Sequence, residues 1–202
     1  MNHNSPLLMK KRMTLLVLIP VVLATFWLVG NSRAAPETPE YKVVRTDAKF
    51  EIRDYPALTL ATTPMSGDGM SGGFGQLFRF ITGNNERAEK IEMTSPVFIN
   101  TLKDKKTMSF IMSKKVVEQG VPRPAGDTVT LSKVEAARVA AFRFSGSRTA
   151  ENEKTAIETL TGWLTAQKIV GQGDPVFAYY DPPWTPAFLR RNEVMFRIEH
   201  GP

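Results

Sequence analysis

The sequence predicts an α+β domain with an antiparallel sheet, built from two similar strand–helix–strand–strand units. Three observations lead there. Several short stretches alternate apolar and polar residues with the two-residue period of half-buried strands. Two longer stretches carry the helical period instead. Finally, "LATTPMSG" (Leu60 to Gly67) and "VAAFRFSG" (Val139 to Gly146) look alike. Each is a strand ending in Ser-Gly that leads through a polar loop into an amphipathic helix. After each helix come a Gly-bearing loop and further strands, which reads as an internal duplication.

At the amino end, Lys10, Lys11 and Arg12 precede an apolar run from Met13 to Val29, and Asn31, Ser32, Arg33, Ala34 and Ala35 come after it. This pattern is a secretory leader. At 17 residues the run is long for a signal and at the lower limit for a span, so cleaved signal and retained anchor both stand. The basic cluster keeps the amino end inside and sends the rest of the chain across the membrane. Residues 1–35 are therefore read as signal peptide or membrane anchor, 36–40 as a linker, and 41–202 as the folded domain. The expected location is the periplasm, or the membrane with the domain on its outer side.

Within the domain, Phe50 and Ile52 alternate with Glu51 and Arg53. Met108, Phe110 and Met112 alternate with Thr107, Ser109 and Ile111. Val194, Phe196 and Ile198 oppose Glu193, Met195, Arg197 and Glu199. Such alternation fits an antiparallel sheet with one wet face. In "GGFGQLFRFITGNN", Phe74, Leu77, Phe78 and Ile81 fall at i, i+3, i+4 and i+7, and Gly83 and Asn84 supply the stop. These four are the expected inward stripe, with Phe80 off it and Arg79 beside it. In the second helix Ile157, Leu160, Trp163 and Leu164 form the stripe. Thr149 is its expected N-cap, Glu151 and Glu153 favour the first turn, and Gly171 is the expected end.

Composition excludes several functions. There is no cysteine, so disulfides, thiolate zinc sites and iron–sulfur clusters are ruled out. The net charge of +6 includes four basic and no acidic residues from the leader, which leaves +2 for the rest. Lys103, Lys105 and Lys106 read as a solvated hairpin tip, so no nucleic-acid partner is expected. "GDGMSG" at Gly67 to Gly72 matches the dinucleotide pattern, but nothing nearby reads as a parallel βαβ unit. "GMSGG" at Gly69 to Gly73 matches the nucleophile elbow, but the only histidine after the leader is His200. No catalytic constellation and no metal site is expected.

Two segments invite a ligand. The first helix has more aromatic side chains than one stripe needs. It is either ordinary core packing with a surface arginine, or a helix whose exposed flank meets a flat apolar ligand and whose Arg79 pairs with a ligand carboxylate. "YDPPWTPAFLRRNEV" (Tyr180 to Val194) stiffens its backbone with Pro182, Pro183 and Pro186 and places Trp184 and Phe188 before Arg190 and Arg191. It is either a rigid corner leading into the last strand or the rim of a binding site. One arginine is expected to neutralise Asp181 or Glu193, leaving the other available.

The chain resembles the SOUL haem-binding proteins over roughly Tyr41 to Glu199. The resemblance is carried by "YKVV", "FEIRDYP", "FGQLFRFITGNN", "KIEMTSPV", "MSFIMS", "VAAFRFSG" and "YDPPWTPAFLRRNEV", in that order. It implies two β-α-β-β halves forming a distorted antiparallel barrel with two helices packed outside, similar to bacterial effector-binding domains. It implies a carrier or store for haem or another tetrapyrrole, held non-covalently in an apolar cleft beside the first helix; a monomer is expected. The resemblance puts Arg79 where haem-binding members carry a basic residue, and with the two segments above the candidate site residues are Phe74, Leu77, Phe78, Arg79, Phe80, Ile81, Trp184, Phe188, Arg190 and Arg191. A second basic position of haem-binding members appears here as Thr185. A histidine iron ligand is absent before His200. The alternative is a sensor or enzyme acting on another apolar ligand in the same cleft, without haem.

Overall fold

Alternation and helical period sort the described residues into nine strands, three α-helices and one 3-10 turn. The computed structural model describes residues 36–65, 70–102 and 105–199. Residues 1–35, expected as a leader, lie outside the described residues, as do Lys103, His200 and residues 66–69 with most of the two glycine motifs. The strands are β1 (Lys42–Asp47), β2 (Phe50–Tyr55), β3 (Leu58–Pro64), β4 (Val97–Leu102), β5 (Lys105–Ile111), β6 (Thr130–Val134), β7 (Ala137–Phe144), β8 (Gly171–Tyr179) and β9 (Asn192–Ile198). The helices are α1 (Met70–Ile81), α2 (Lys114–Glu118) and α3 (Ala150–Ala166). Among the described residues, no helix is long and apolar enough to cross a membrane.

All strands belong to one antiparallel sheet in the order β1-β2-β7-β9-β8-β4-β5-β3-β6. Chain connectivity forces this sheet to curl. β2 and β3 are joined by Pro56 and Ala57 alone, which span at most about 11 Å between the flanking Cα atoms. In a flat sheet their positions, six strand spacings apart, would lie about 29 Å from each other. The short link from β6 to β7 imposes the same curl from the other side.

The curl corrects the expectation of one wet face. One face carries the main core: Ala61, Ile99, Met108, Phe110, Phe177 and Val194 pack there with Leu77, Phe80 and Ile81 of α1 and Leu160 and Leu164 of α3. The other face closes on itself. Tyr55, Phe98, Ile111, Ala141, Ala178 and Met195 form a second apolar cluster there. Arg53 and Glu193, which alternation alone assigned to water, are 3% and 0% exposed on that face. Strand period tells which residues share a face; it does not tell that a curled sheet hides its concave side.

In α1 the inward stripe is Gly73, Leu77, Phe80 and Ile81, all buried. Phe74 and Phe78 are 36% and 46% exposed, so the buried stripe shares Leu77 and Ile81 with the expected one and is turned from it by roughly 65°. Both stripes satisfy the helical period. The structure chooses the one that buries Phe80 against Met108 and Phe110, and Gly73 gives the helix a close approach to Met65 and Met108. In α3, Thr149 is the N-cap and accepts from the Asn152 N–H at 3.2 Å. The helix ends at Ala166, earlier than Gly171, and Lys168 adopts the left-handed conformation (φ 58°) that a C-terminal glycine would supply.

Candidate ligand site

Side chains on α1 build the first part of the site. Turning Phe80 inward leaves Phe74 and Phe78, one turn apart, on the outward flank. Their rings stack at 5.9 Å between centroids and 16° between planes. Phe74 also meets the buried Phe110 ring edge-on at 5.5 Å, which ties the pair to the core. Arg79 lies on the adjacent stripe with Gly75. A Cβ at Gly75 would sit 3.9 Å from Arg79 Nη1, so the guanidinium folds back along the helix over a position without a side chain. Arg79 is exposed and forms no ion pair among the described residues. The result is an open shelf: a two-ring apolar surface beside an uncommitted guanidinium.

Leu77, Phe80 and Ile81, expected at the ligand, are fully committed to the core and face away from this shelf. They support it from beneath and cannot touch a ligand on its surface.

The β8–β9 loop forms at the same end of the sheet as the end of α1. Ile91 N–H donates to Ile81 O beyond α1, and the chain then reaches β4, whose Val97 pairs with Tyr179 at the end of β8. In this loop Trp184 and Phe188 are 84% and 76% exposed. Arg190 and Arg191 are both engaged, so neither is left available as expected. Arg190 donates to the carbonyls of Thr185 (2.8 Å) and Pro183 (2.5 Å), bracing the loop. Arg191 donates to Glu193 Oε1 through Nε (3.0 Å) and Nη2 (2.8 Å) and lies 3.9 Å over the Tyr180 ring.

Sequence reasoning missed the centre of this arrangement. Glu193 also accepts from both terminal nitrogens of Arg53 (2.6 and 3.0 Å) and from Tyr180 Oη (3.0 Å). Burial works to raise the Glu193 pKa, but the hydrogen bonds and charges of Arg53 and Arg191 outweigh it and hold the carboxyl below its ordinary value. Tyr55, at 3.4 Å from Arg53 Nη1, is pushed up to about 12 by burial, against the opposing pull of Arg53. In "FEIRDYP" and "RRNEV" Arg53 and Glu193 both fall on the polar phase of the alternation, so the sequence pattern carried no signal of their burial.

On the concave face lies a cavity of about 400 Å³. Its apolar wall includes Tyr55, Leu60, Phe98, Val176 and Met195, and its polar lining includes Thr62, Asn100 and Ser109. Thr62 and Ser109 bond to each other at 2.8 Å, while Asn100 Oδ1 is buried without a partner among the described residues. This cavity is on the side of the sheet opposite α1, whereas the cleft implied by resemblance was beside the helix. Among the described residues there is no histidine or cysteine and no group of three acidic or metal-ligating side chains able to hold a metal ion.

Comparison with solved structures agrees with the fold. The EcmrR C-terminal domain superposes with a TM-score of 0.53 at 11% identity, over 79% of this chain and 98% of that one. A hydrolase from Listeria innocua gives 0.53 at 8% identity, over 83% and 94%. An uncharacterised conserved protein from the same organism gives 0.51 at 11%, over 82% and 94%. At such identities the likeness is one of fold alone. No curated protein matches the sequence. The SOUL heme-binding protein family matches residues 36–197, nearly the whole described domain. With that match on top of the geometry, the chain belongs to the SOUL haem-binding family.

Proposed function

We propose that the chain is an exported or membrane-tethered protein that binds haem or a related tetrapyrrole non-covalently, for carriage or sequestration. One observation supports this most: in a member of a haem-binding family, α1 presents the Phe74–Phe78 stack beside the uncommitted Arg79. A tetrapyrrole has a wide apolar face and carboxylate side chains. The rings suit the face and the guanidinium suits a carboxylate. Haem, when bound, supplies an iron centre; the described residues offer it no imidazole or thiolate, so holding the ligand falls to apolar contact and Arg79. The repeated order of strand, helix and two strands supports a duplicated origin, with the curled sheet as a distorted barrel.

Titrating the purified chain with haemin tests the reading. A saturable one-to-one Soret shift is expected. No binding below tens of micromolar, which corresponds to about −6 to −7 kcal/mol, overturns it. Export is tested separately: protease added to spheroplasts should degrade the domain, and its protection would refute the location.

A second reading rests on the cavity. Its apolar wall and the unpartnered Asn100 Oδ1 suit a small apolar molecule bearing a hydrogen-bond donor. In that reading the chain is a sensor or enzyme for such a molecule, without haem.

A further inference from the structure

We propose that the β8–β9 loop is a membrane-docking surface that seats Trp184, Phe188 and Leu189 at the interface of a lipid bilayer. These side chains are 84%, 76% and 63% exposed and stand within six residues of one another. The loop that carries them is fixed. Pro182, Pro183 and Pro186 limit its backbone. Arg190 grips the carbonyls of Pro183 and Thr185, and Gly146 N–H donates to Ala187 O at 2.9 Å. Asp181 accepts from the Arg191 N–H at 2.6 Å, closing the base. A stiff support that holds three large apolar side chains away from the core is an unusual use of a loop, and apolar exposure concentrated in one short loop in this way marks an interaction surface. Tryptophan, with its apolar rings and one N–H, suits the boundary between headgroups and acyl chains.

The point where the chain enters the domain identifies the occupant. Glu37 bridges to Thr94, and its carbonyl accepts from Ser95 N–H at 2.8 Å. Ser95 Oγ in turn donates to Tyr180 O at 3.2 Å, and Tyr180 N–H pairs with Arg191 O at the base of the loop. The strand of chain that joins the leader to the domain is thus pinned one residue from the loop. Seven residues separate Val29, the end of the apolar run, from Glu37, a reach over eight Cα steps of at most about 28 Å. A bilayer that engages the apolar run is therefore within that reach of Glu37. This inference rests on the proposal that the run engages a membrane.

Because the chain has no cysteine, a single Phe188→Cys substitution gives a unique site for an environment-sensitive fluorophore. Lys106→Cys, on the exposed β4–β5 hairpin at the opposite end of the sheet, is the control. The full chain is reconstituted with phosphatidylcholine vesicles and separated by flotation. The expected result is a blue-shifted label at 188, quenched by bromine on the acyl chains and shielded from iodide in the water, with an aqueous label at 106. Adding Trp184→Ala and Leu189→Ala should return the 188 label toward the aqueous emission. A floating chain whose 188 label is as aqueous as 106 overturns the docking surface and leaves membrane tethering standing. A chain that does not float overturns both. Shielding of the 188 label in vesicle-free solution would make the loop a contact between two copies and overturn the proposal.

Discussion

Glu193→Gln should destabilise the domain by about 3 kcal/mol, the lower end of the range for breaking a buried ion pair. The carboxylate is 0% exposed and accepts five hydrogen bonds, four from two arginines and one from Tyr180. The amide keeps the shape but removes the charge, leaving Arg53 buried beside a partner that can no longer neutralise it. Two features keep the cost low in the range. Arg53 retains Glu51 at 2.7 Å, and the Arg191 side chain is 33% exposed. Thermal unfolding followed by circular dichroism at neutral pH should show a midpoint lowered by roughly 6–12 °C. The pH dependence has a definite sign. The Glu193 pKa is depressed in the folded state, so its contribution is fully present above its ordinary value of 4.5 and is lost as pH falls through the folded value. The gap between wild type and variant should therefore narrow as the solution is acidified below about pH 4.5. A change under about 1 kcal/mol at neutral pH, or a gap that widens in acid, would refute the claim that this carboxylate organises the concave face.

The helices and the loop carry outcomes of their own. Phe80→Ala should cost about 3–5 kcal/mol in chemical denaturation, whereas Phe78→Ala should cost less than about 1, which separates the observed stripe from the expected one. Thr149→Ala should cost about 1 kcal/mol by removing the cap on α3, seen as a lowered denaturation midpoint with unchanged slope. Arg190→Ala should free the β8–β9 loop without unfolding the sheet, so limited proteolysis should cut between Pro182 and Leu189 faster than in wild type.

The strands were legible because two-residue alternation needs no knowledge of partners: β2, β5 and β9 lie where it placed them. The N-cap of α3 was legible for the same reason, being a local bond between a hydroxyl and an amide. The rotation of α1 was not. Phe74, Leu77, Phe78 and Ile81 satisfy the helical period as well as Leu77, Phe80 and Ile81 do. The choice depends on which stripe faces Met108 and Phe110, from strands distant in sequence. The burial of Arg53 and Glu193 was hidden likewise, since they are 140 positions apart and meet only because the sheet curls. Of the candidate site, "FRF" announced an aromatic helix with a cation, but the exposed pair is Phe74 and Phe78, with Phe80 turned inward. Arg190 and Arg191 read alike in sequence; their separate tasks depend on loop carbonyls and a carboxylate that only the folded chain assembles.

The most direct test of the central claim compares haemin with metal-free protoporphyrin on three forms of the chain: wild type, Phe78→Ala and Arg79→Ala. If apolar contact and one guanidinium hold the ligand, the two ligands should bind wild type within about tenfold of each other, or 1.4 kcal/mol. Each substitution should weaken both ligands by roughly tenfold, within the range for a charge-assisted hydrogen bond in the arginine case, while leaving thermal unfolding nearly unchanged. Haemin binding that both variants retain at full strength, or that protoporphyrin cannot match at any concentration, would contradict the account and move the ligand away from α1.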